Sequence, residues 1–153
     1  MMNRFITFEG IDGSGKTTQI ELLKNRLIKM GKKVISLREP GGTEISENIR
    51  KILLDPAKKI NAEVEMMLFL AARSQMTSEI IIPTLKKEFF VICDRFKDST
   101  LAYQGFGRGL NVSLVNKLNE FATTGIDPVI TFYIDINIKE SIKRKKGTIN
   151  DRM

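Results

Sequence analysis

The sequence predicts an α/β fold with three layers, in which a central parallel sheet lies between helices. Short apolar runs at 5–8, 34–37, 89–93 and 129–134 have the length of buried strands. They alternate with longer segments of helical periodicity. Each gap between runs is long enough for the helical crossover that parallel strands require. In open sheets of this kind, ligands bind beyond the carboxyl ends of the strands.

The first run leads directly into a glycine-rich turn that is followed by a helix. Residues 10–17 read Gly-Ile-Asp-Gly-Ser-Gly-Lys-Thr, which has the spacing of a P-loop. In such a loop the backbone N–H groups surround phosphate oxygens, Lys16 reaches the β- and γ-phosphates, and Thr17 binds Mg²⁺. A glycine-rich turn without a ligand is disfavoured, because a strand and a helix flank it. The predicted ATP-binding residues are Gly10, Ile11, Asp12, Gly13, Ser14, Gly15, Lys16, Thr17 and Thr18.

Composition narrows the possible chemistry. The 153 residues are 42% apolar and 28% charged, as in an ordinary globular protein, and we expect one domain over 1–153. The absence of histidine excludes His-based zinc sites and Ser–His or Cys–His catalysis. The lone Cys93 excludes an intramolecular disulfide, favours a cytoplasmic protein and is expected to be a buried structural thiol. No apolar run has the length of a membrane span.

The net charge of +7 is concentrated near one end of the chain, at 139–152. A basic cluster of this kind suits a nucleic-acid partner, and it equally suits an active site that handles phosphates. Charge alone does not decide between them.

After the P-loop, the first helix is expected to end at Gly31. Its apolar face consists of Ile20, Leu23, Leu27 and Met30. The strand 34–37 is followed by the loop 38–43, Arg-Glu-Pro-Gly-Gly-Thr, at the ligand-binding edge of the sheet. A second helix is predicted over 43–54, with Ile45, Ile49, Ile52 and Leu53 facing inward.

Asn61 is expected to cap a long helix that runs to Ile82, with a kink at Pro83. Arg73 lies one turn after Phe69 on the same face of this helix. After the strand 89–93, Asp94 is expected to face Mg²⁺ at the P-loop. A helix over 99–104, a loop containing Gly105, Gly107 and Gly109, a helix capped by Asn111, the strand 129–134 and a basic helix from Asn137 complete the prediction.

Four separated motifs have a common resemblance. They are residues 9–18 (Glu-Gly-Ile-Asp-Gly-Ser-Gly-Lys-Thr-Thr), 38–43, 68–75 (Leu-Phe-Leu-Ala-Ala-Arg-Ser-Gln) and 94–109, which begins Asp-Arg-Phe-Lys-Asp-Ser-Thr. Together they resemble bacterial thymidylate kinase, in order and spacing, over the whole chain. The resemblance implies a P-loop NTPase fold like that of nucleoside monophosphate kinases, and ATP- and Mg²⁺-dependent phosphorylation of dTMP to dTDP, a step in dTTP synthesis.

By position, the resemblance also implies individual roles. Phe69 stacks on thymine, Arg73 bonds a base carbonyl, and Thr100 and Gln104 contact the base edge. Tyr103 lies under the sugar, Asp12 meets the 3′-OH, and Arg38 and Arg95 hold the acceptor phosphate. The implied catalytic residues are Lys16, Asp94, Arg95, Arg144 and Arg152, with Thr17 and Asp94 as Mg²⁺ ligands. Alternative interpretations are that Phe69 and Tyr103 only pack in the core, and that Asp94 and Arg95 form a structural ion pair.

The basic segment corresponds to the lid that closes over ATP in this family, about 143–153 here. Some members carry arginine where this chain has Gly13, and the others place catalytic basic residues in the lid. We therefore expect Arg144 or Arg152 to stabilise the transferring phosphoryl group; a solvated basic helix face is the alternative. Members continue with a further strand and helix that are absent here, which predicts an incomplete sequence, an uncovered edge at the fourth strand and exposed apolar helix faces.

The resemblance implies small-molecule substrates, ATP and dTMP, and a homodimer in which the helix 62–82 is a candidate interface. It implies no nucleic-acid or membrane partner. Two alternatives stay open: a kinase for another nucleoside monophosphate, and a non-catalytic P-loop protein that binds nucleic acid or acts as a nucleotide-gated switch. The second alternative leaves the loop 38–43 and the pair Phe69 and Arg73 unexplained.

Overall fold

The computed structural model describes residues 4–145 and contains a four-stranded parallel sheet. The strands are β1 (Phe5–Glu9), β2 (Val34–Arg38), β3 (Phe90–Asp94) and β4 (Ile130–Tyr133), in the order β2-β3-β1-β4. Phe8 of β1 is level with Asp94 of β3 and Phe132 of β4, so the carboxyl ends of these three strands lie along one edge. The predicted α/β fold is confirmed.

The helices connect and cover the strands. They are α1 (Lys16–Lys29), α2 (Glu44–Leu54), α3 (Ala62–Met76), α4 (Ile82–Lys86), α5 (Lys97–Thr100), α6 (Val112–Thr123) and α7 (Ile138–Lys145). Two π-helical segments, Thr77–Ile81 and Leu101–Gly107, continue α3 and α5. Within residues 4–145, no helix combines the length and apolarity needed to cross a membrane.

The two faces of the sheet carry separate apolar cores, because alternate strand residues point to opposite sides. On one face, Phe5, Val91 and Cys93 pack with Met76 and Ile81 of the α3 layer. On the other face, Ile6, Phe8 and Ile92 pack against Ile20 of α1. A third cluster, with Met66, Leu70, Val115 and Ala122, joins α3 to α6. Burial raises the pKa of the Cys93 thiol well above its ordinary value, in keeping with a structural thiol.

Several predicted details of the helices are wrong. Met30, Ile45 and Ile52 are exposed to solvent instead of facing inward. In α2 the inward positions belong to Leu53 and to Ser46, whose hydroxyl donates to the Ala72 carbonyl at 2.8 Å. A hydrogen bond to the backbone of α3 therefore docks this face of α2, which apolar periodicity could not reveal.

The predicted loop with Gly105, Gly107 and Gly109 is wrong for the first two glycines, whereas Gly109 lies in a turn. Gly105 and Gly107 lie in the π-helical segment Leu101–Gly107 and not in a loop. Gly105 is covered by Leu101 and by Val112, each about a van der Waals contact from where its Cβ would be. Close packing thus explains this glycine.

Candidate active site

The P-loop surrounds the Lys16 side chain, and its glycines adopt left-handed backbone conformations just before α1. Gly13 has φ of 74° and Gly15 has φ of 100°, backbone conformations that favour glycine. The Lys16 ammonium donates to the carbonyls of Gly10 at 3.0 Å and Ile11 at 3.1 Å. Burial lowers the Lys16 pKa, and the nearby Arg95 lowers it further, while Asp94 opposes the shift.

The loop is also packed closely against elements that follow β4. A Cβ at Gly10 would come within 2.5 Å of the Ile134 carbonyl oxygen, and one at Gly13 within 3.2 Å of the Ser141 carbonyl oxygen. Ser141 donates from its hydroxyl to the Asp12 carbonyl at 2.6 Å. Side chains at the two glycine positions would displace α7 and the end of β4 from the loop.

Arg144 of α7 reaches the P-loop at the glycine that the sequence singled out. Its Nη1 donates to the Gly13 carbonyl at 3.3 Å, and its Nε donates to Glu140 at 3.1 Å. Arg144 also lines the cleft above the P-loop, together with Lys16 and Thr17. Arg152, the other predicted lid arginine, lies outside the described residues, as does most of the predicted lid segment 143–153.

Asp94 has the features of a cation ligand at the end of β3. It lines the P-loop cleft together with Thr17. Its Oδ1 is buried and accepts no hydrogen bond from the described part of the chain, an arrangement that normally calls for a partner. Burial raises the pKa of the carboxyl, and Lys16 and Arg95 oppose the shift. Two protein oxygens plus phosphate oxygens are a usual environment for Mg²⁺, so Thr17 and Asp94 fit this ion.

Among residues 4–145, no group of three or more His, Cys, Asp or Glu side chains has a metal-binding arrangement.

Arg95 is held in place from three sides. Its Nη2 donates to Asp12 at 2.6 Å, its Nη1 donates to the Ser99 hydroxyl at 2.9 Å, and its guanidinium lies over the Tyr103 ring at 5.5 Å. Its backbone has φ of 70°, an unfavourable conformation for a residue with a side chain. Strain of this kind is frequent at functional sites. The alternative interpretation, a structural ion pair between Asp94 and Arg95, finds no support among the salt bridges of the described residues, where Arg95 pairs with Asp12.

Glu9, which was not predicted as a site residue, holds the turn that contains Arg95. Its buried carboxylate accepts from the Phe96 amide at 2.8 Å and from the Ser99 hydroxyl at 2.6 Å. Burial raises the pKa of this carboxyl, and the bonds from Ser99 and Phe96 offset part of the effect. The signal in the sequence was a charged residue at the end of an apolar strand.

A second cavity opens beside the P-loop cleft, between α3 and the segment 99–104. Phe69 and Tyr103 give it aromatic walls, and Arg73, Thr100 and Gln104 supply polar groups. Phe69 is half-buried and belongs to none of the three apolar clusters. Tyr103 is 39% exposed. Both rings are therefore available to a flat ligand, in contrast to the interpretation of pure core packing.

Arg73 is almost fully buried and has partners for most of its donors. Its Nε and Nη2 donate to Glu39, at distances down to 2.5 Å, and Nη2 also donates to the Phe96 carbonyl at 3.0 Å. Its Nη1 donates to Asn119 at 2.5 Å. A guanidinium has five N–H groups, so within the described chain one N–H of Nη1 is left for a ligand in the cavity. Glu39 and Asn119 were not predicted as site residues.

The P-loop cleft and the aromatic cavity have four lining residues in common. These residues form what we call the shared wall: Asp12, Glu39, Arg50 and Arg95. Arg50 of α2 was not predicted as a site residue. It donates to the Pro40 carbonyl at 2.9 Å. In the sequence, the signal for it is a cation on the helix that follows the loop 38–43. Arg38 lines the P-loop cleft but not the aromatic cavity, and its exposed guanidinium pairs with Glu47 at 3.0 Å.

Comparisons with known proteins agree on one family. The family model described as thymidylate kinase matches residues 8–152. A thymidylate kinase from Thermosipho africanus is 54% identical over 97% of this chain and 74% of its own length. One from Caldanaerobacter subterraneus is 50% identical over 100% of this chain and 74% of its own length.

A solved structure gives the same result. The crystal structure of thymidylate kinase from Ehrlichia chaffeensis superposes with a TM-score of 0.80 and 46% identity, covering 92% of this chain and 80% of that one. The chain belongs to the thymidylate kinase family.

Proposed function

We propose that this protein transfers the γ-phosphoryl group of ATP to dTMP, giving ADP and dTDP. The observation that carries the proposal is the shared wall of Asp12, Glu39, Arg50 and Arg95, which line both the P-loop cleft and the aromatic cavity. A phosphorylated ligand in each space would place its phosphate against these shared residues, so the two phosphates would lie close together. Family membership supports dTMP as the acceptor.

On the donor side, the residues from Gly10 to Thr18 bind the ATP phosphates through backbone N–H groups and Lys16. Thr17 and Asp94, whose Oδ1 has no hydrogen-bond partner within residues 4–145, would hold Mg²⁺. A bound ion of this kind would supply positive charge next to the β- and γ-phosphates. Lys16 now bonds carbonyls of its own loop, and it exchanges them for phosphate oxygens when ATP binds.

On the acceptor side, thymine stacks on Phe69 and presents its edge to Arg73, Thr100 and Gln104. The N–H of Arg73 Nη1 that has no acceptor within the described part of the chain donates to a base carbonyl. Tyr103 lies under the sugar.

The acceptor phosphate is held by guanidinium groups, which offer rigid paired donors to a phosphate. Arg95 is the main contact, and Arg50 joins it because both line the shared wall. Arg38 approaches from the P-loop cleft after leaving Glu47. Asp12 exchanges its bond with Arg95 for one with the 3′-OH of the sugar.

In the reaction, an oxygen of the acceptor phosphate forms a bond to the γ-phosphorus while the bond from that phosphorus to the β-bridging oxygen breaks. Little covalent help from the protein is needed, and positioning and charge stabilisation dominate. This suits a chain without histidine. Arg144, which already reaches Gly13, stabilises the transferring group, with Arg152 as a second lid cation.

The acceptor is tested by comparing turnover on dTMP, dUMP, dCMP, UMP and AMP in a coupled ADP-release assay. We expect dTMP to have the highest kcat/KM. A higher value for another monophosphate would replace dTMP by that acceptor and favour a different nucleoside monophosphate kinase.

We also propose that residues 1–153 form one kinase domain, that 143–153 is a lid, and that the protein is cytoplasmic and forms a homodimer. Three helices support the homodimer, since α3 packs between α2 and α6. Each presents exposed apolar residues to solvent, namely Ile45, Ile52, Val64, Met67, Leu114 and Phe121. Exposed apolar residues that form a contiguous patch are typical of an interface, and we propose that these residues do so. Light scattering should give twice the chain mass, and Met67→Glu should lower it to one chain mass; a monomeric wild type would contradict the proposal.

A further inference from the structure

One buried acid beside the aromatic cavity has no part in the reaction proposed above. Glu65 of α3 is 0% exposed and lies one turn before Phe69 on the same helix face. Its Oε1 accepts from the Gln104 amide nitrogen at 2.8 Å. Arg108 donates to both carboxylate oxygens, at 3.2 Å and 3.1 Å.

These contacts fix the orientation of the Gln104 side-chain amide, with its NH₂ group toward Glu65. An ionised carboxylate only accepts hydrogen bonds, so its neighbour at 2.8 Å must be the NH₂ group of Gln104. Turning the amide by 180° would bring two acceptor oxygens together and leave the buried carboxylate with one partner fewer. The paired donors of Arg108 stabilise the ionised form of Glu65. In agreement, the pKa of Arg108 is raised, first by its hydrogen bond to Glu65 and then by the carboxylate charge.

The other end of the amide remains for the ligand. Gln104 is 1% exposed, lines the aromatic cavity, and receives no hydrogen bond at its Oε1 from the described part of the chain. A primary amide can match either of two base edges, depending on its orientation. Thymine and uracil offer an N3–H donor beside a 4-carbonyl acceptor, whereas cytosine offers an N3 acceptor beside a 4-amino donor.

We propose that Glu65, held by Arg108, is a positioning residue that locks the Gln104 amide with its oxygen toward the cavity, so that the site accepts pyrimidines with an N3–H and rejects cytosine. The proposal rests on the proposed function, because it takes the cavity to be the base site of the acceptor. Arg73 acts in the same sense, since its guanidinium can only donate and so suits a 4-carbonyl.

The test compares dUMP with dCMP, because these two acceptors differ only at N3 and at position 4 of the base. In Glu65→Gln, the new amide can present either its oxygen or its NH₂ to Gln104, which frees Gln104 to turn. We expect the ratio of kcat/KM for dUMP to that for dCMP to fall by about tenfold or more. Glu63→Gln is the matched control, since Glu63 is exposed on the same helix, and its ratio should equal that of the wild type.

A purely structural role for Glu65 would weaken both acceptors equally and leave the ratio unchanged, and that result overturns the proposal. Arg108→Gln provides a second variant in case Glu65→Gln does not fold, because Arg108 is partly exposed and the change loosens the same carboxylate. A fall in the ratio is expected there too, and an unchanged ratio in a folded variant is again contrary.

Calorimetric binding of dUMP and dCMP separates this inference from the proposed function. A wild type that binds dUMP more tightly than dCMP but transfers no phosphate to any acceptor would contradict the proposed function alone. A loss of the binding preference in Glu65→Gln would still support the lock. Equal binding of both ligands by the wild type overturns the lock, whatever the activity.

Discussion

The buried pair of Arg73 and Glu39 offers a prediction whose magnitude follows from the structure. The side chains of the two residues are 1% and 4% exposed, and their closest contact is 2.5 Å. Replacing Arg73 by Met leaves the Glu39 carboxylate in the interior without its cation. Removal of one partner from a buried ion pair costs about 3–5 kcal/mol of unfolding free energy. For a chain of this size that corresponds to a fall in Tm of roughly 6–20 °C.

The bonds to Asn119 and to the Phe96 carbonyl make Arg73 the centre of a network, so the effects of single changes should not add. Glu39→Gln alone should also destabilise the protein, because the remaining guanidinium loses an ionised acceptor. In the double variant neither charge is left unpaired. We expect the double variant to be more stable than the sum of the single effects indicates, by about 1–3 kcal/mol.

Urea unfolding of the wild type, both single variants and the double variant measures this coupling. Glu21→Gln is the surface control, because its partner Lys24 is 3.6 Å away and Glu21 is half exposed; it should cost about 1 kcal/mol or less. If Arg73→Met destabilises the protein no more than this control does, the ion pair with Glu39 does not contribute to stability as expected. Arg73→Met should also raise KM for dTMP, since the donor to the base carbonyl is lost.

Three further predictions concern the reacting phosphates and the turn that holds Arg95. Arg144→Ala should lower kcat by about 10³-fold, as loss of a cation from a phosphoryl transition state does, with little change in ATP affinity. Lys143→Ala, at the exposed neighbouring position, should leave kcat unchanged. Steady-state kinetics of the two variants test this difference. Asp94→Asn should raise the Mg²⁺ concentration for half-maximal rate by about tenfold or more, while the exposed Asp98→Asn should leave this concentration unchanged in a Mg²⁺ titration. Because burial raises the pKa of Glu9 above its ordinary 4.5, the folded state binds more protons than the unfolded chain just above that pH. Stability therefore falls as pH rises through this window, and Glu9→Gln should remove that part of the slope in denaturant unfolding at a series of pH values; an identical slope in both proteins would be contrary.

Much of the fold could be predicted because its strands are short, apolar and separated by helical segments. The strand positions, the cap at Asn61 and the helix end at Gly31 follow from local residue preferences. The errors come from tertiary contacts. Ile45 and Ile52 satisfy the apolar period of α2, yet a hydrogen bond from Ser46 to α3 decides which face is buried.

The site was predicted in the same uneven way. Residues that face a ligand have chemically recognisable types at fixed spacing, as in the P-loop and the pair Phe69 and Arg73. The residues that position these ligand-facing side chains have no such recognisable type or spacing. Glu39 and Glu65 act through partners 34 and 39 positions away in the chain, and no local pattern connects such positions.

In the proposed reaction, the phosphates of ATP and dTMP meet at the shared wall, and the γ-phosphoryl group passes from ATP to dTMP. The most direct measurement follows label from γ-³²P-ATP with dTMP and Mg²⁺. Labelled dTDP should form in amounts equal to ADP, and Lys16→Ala should abolish it. Formation of ADP at the same rate with and without dTMP, with no label in dTDP, would contradict the account.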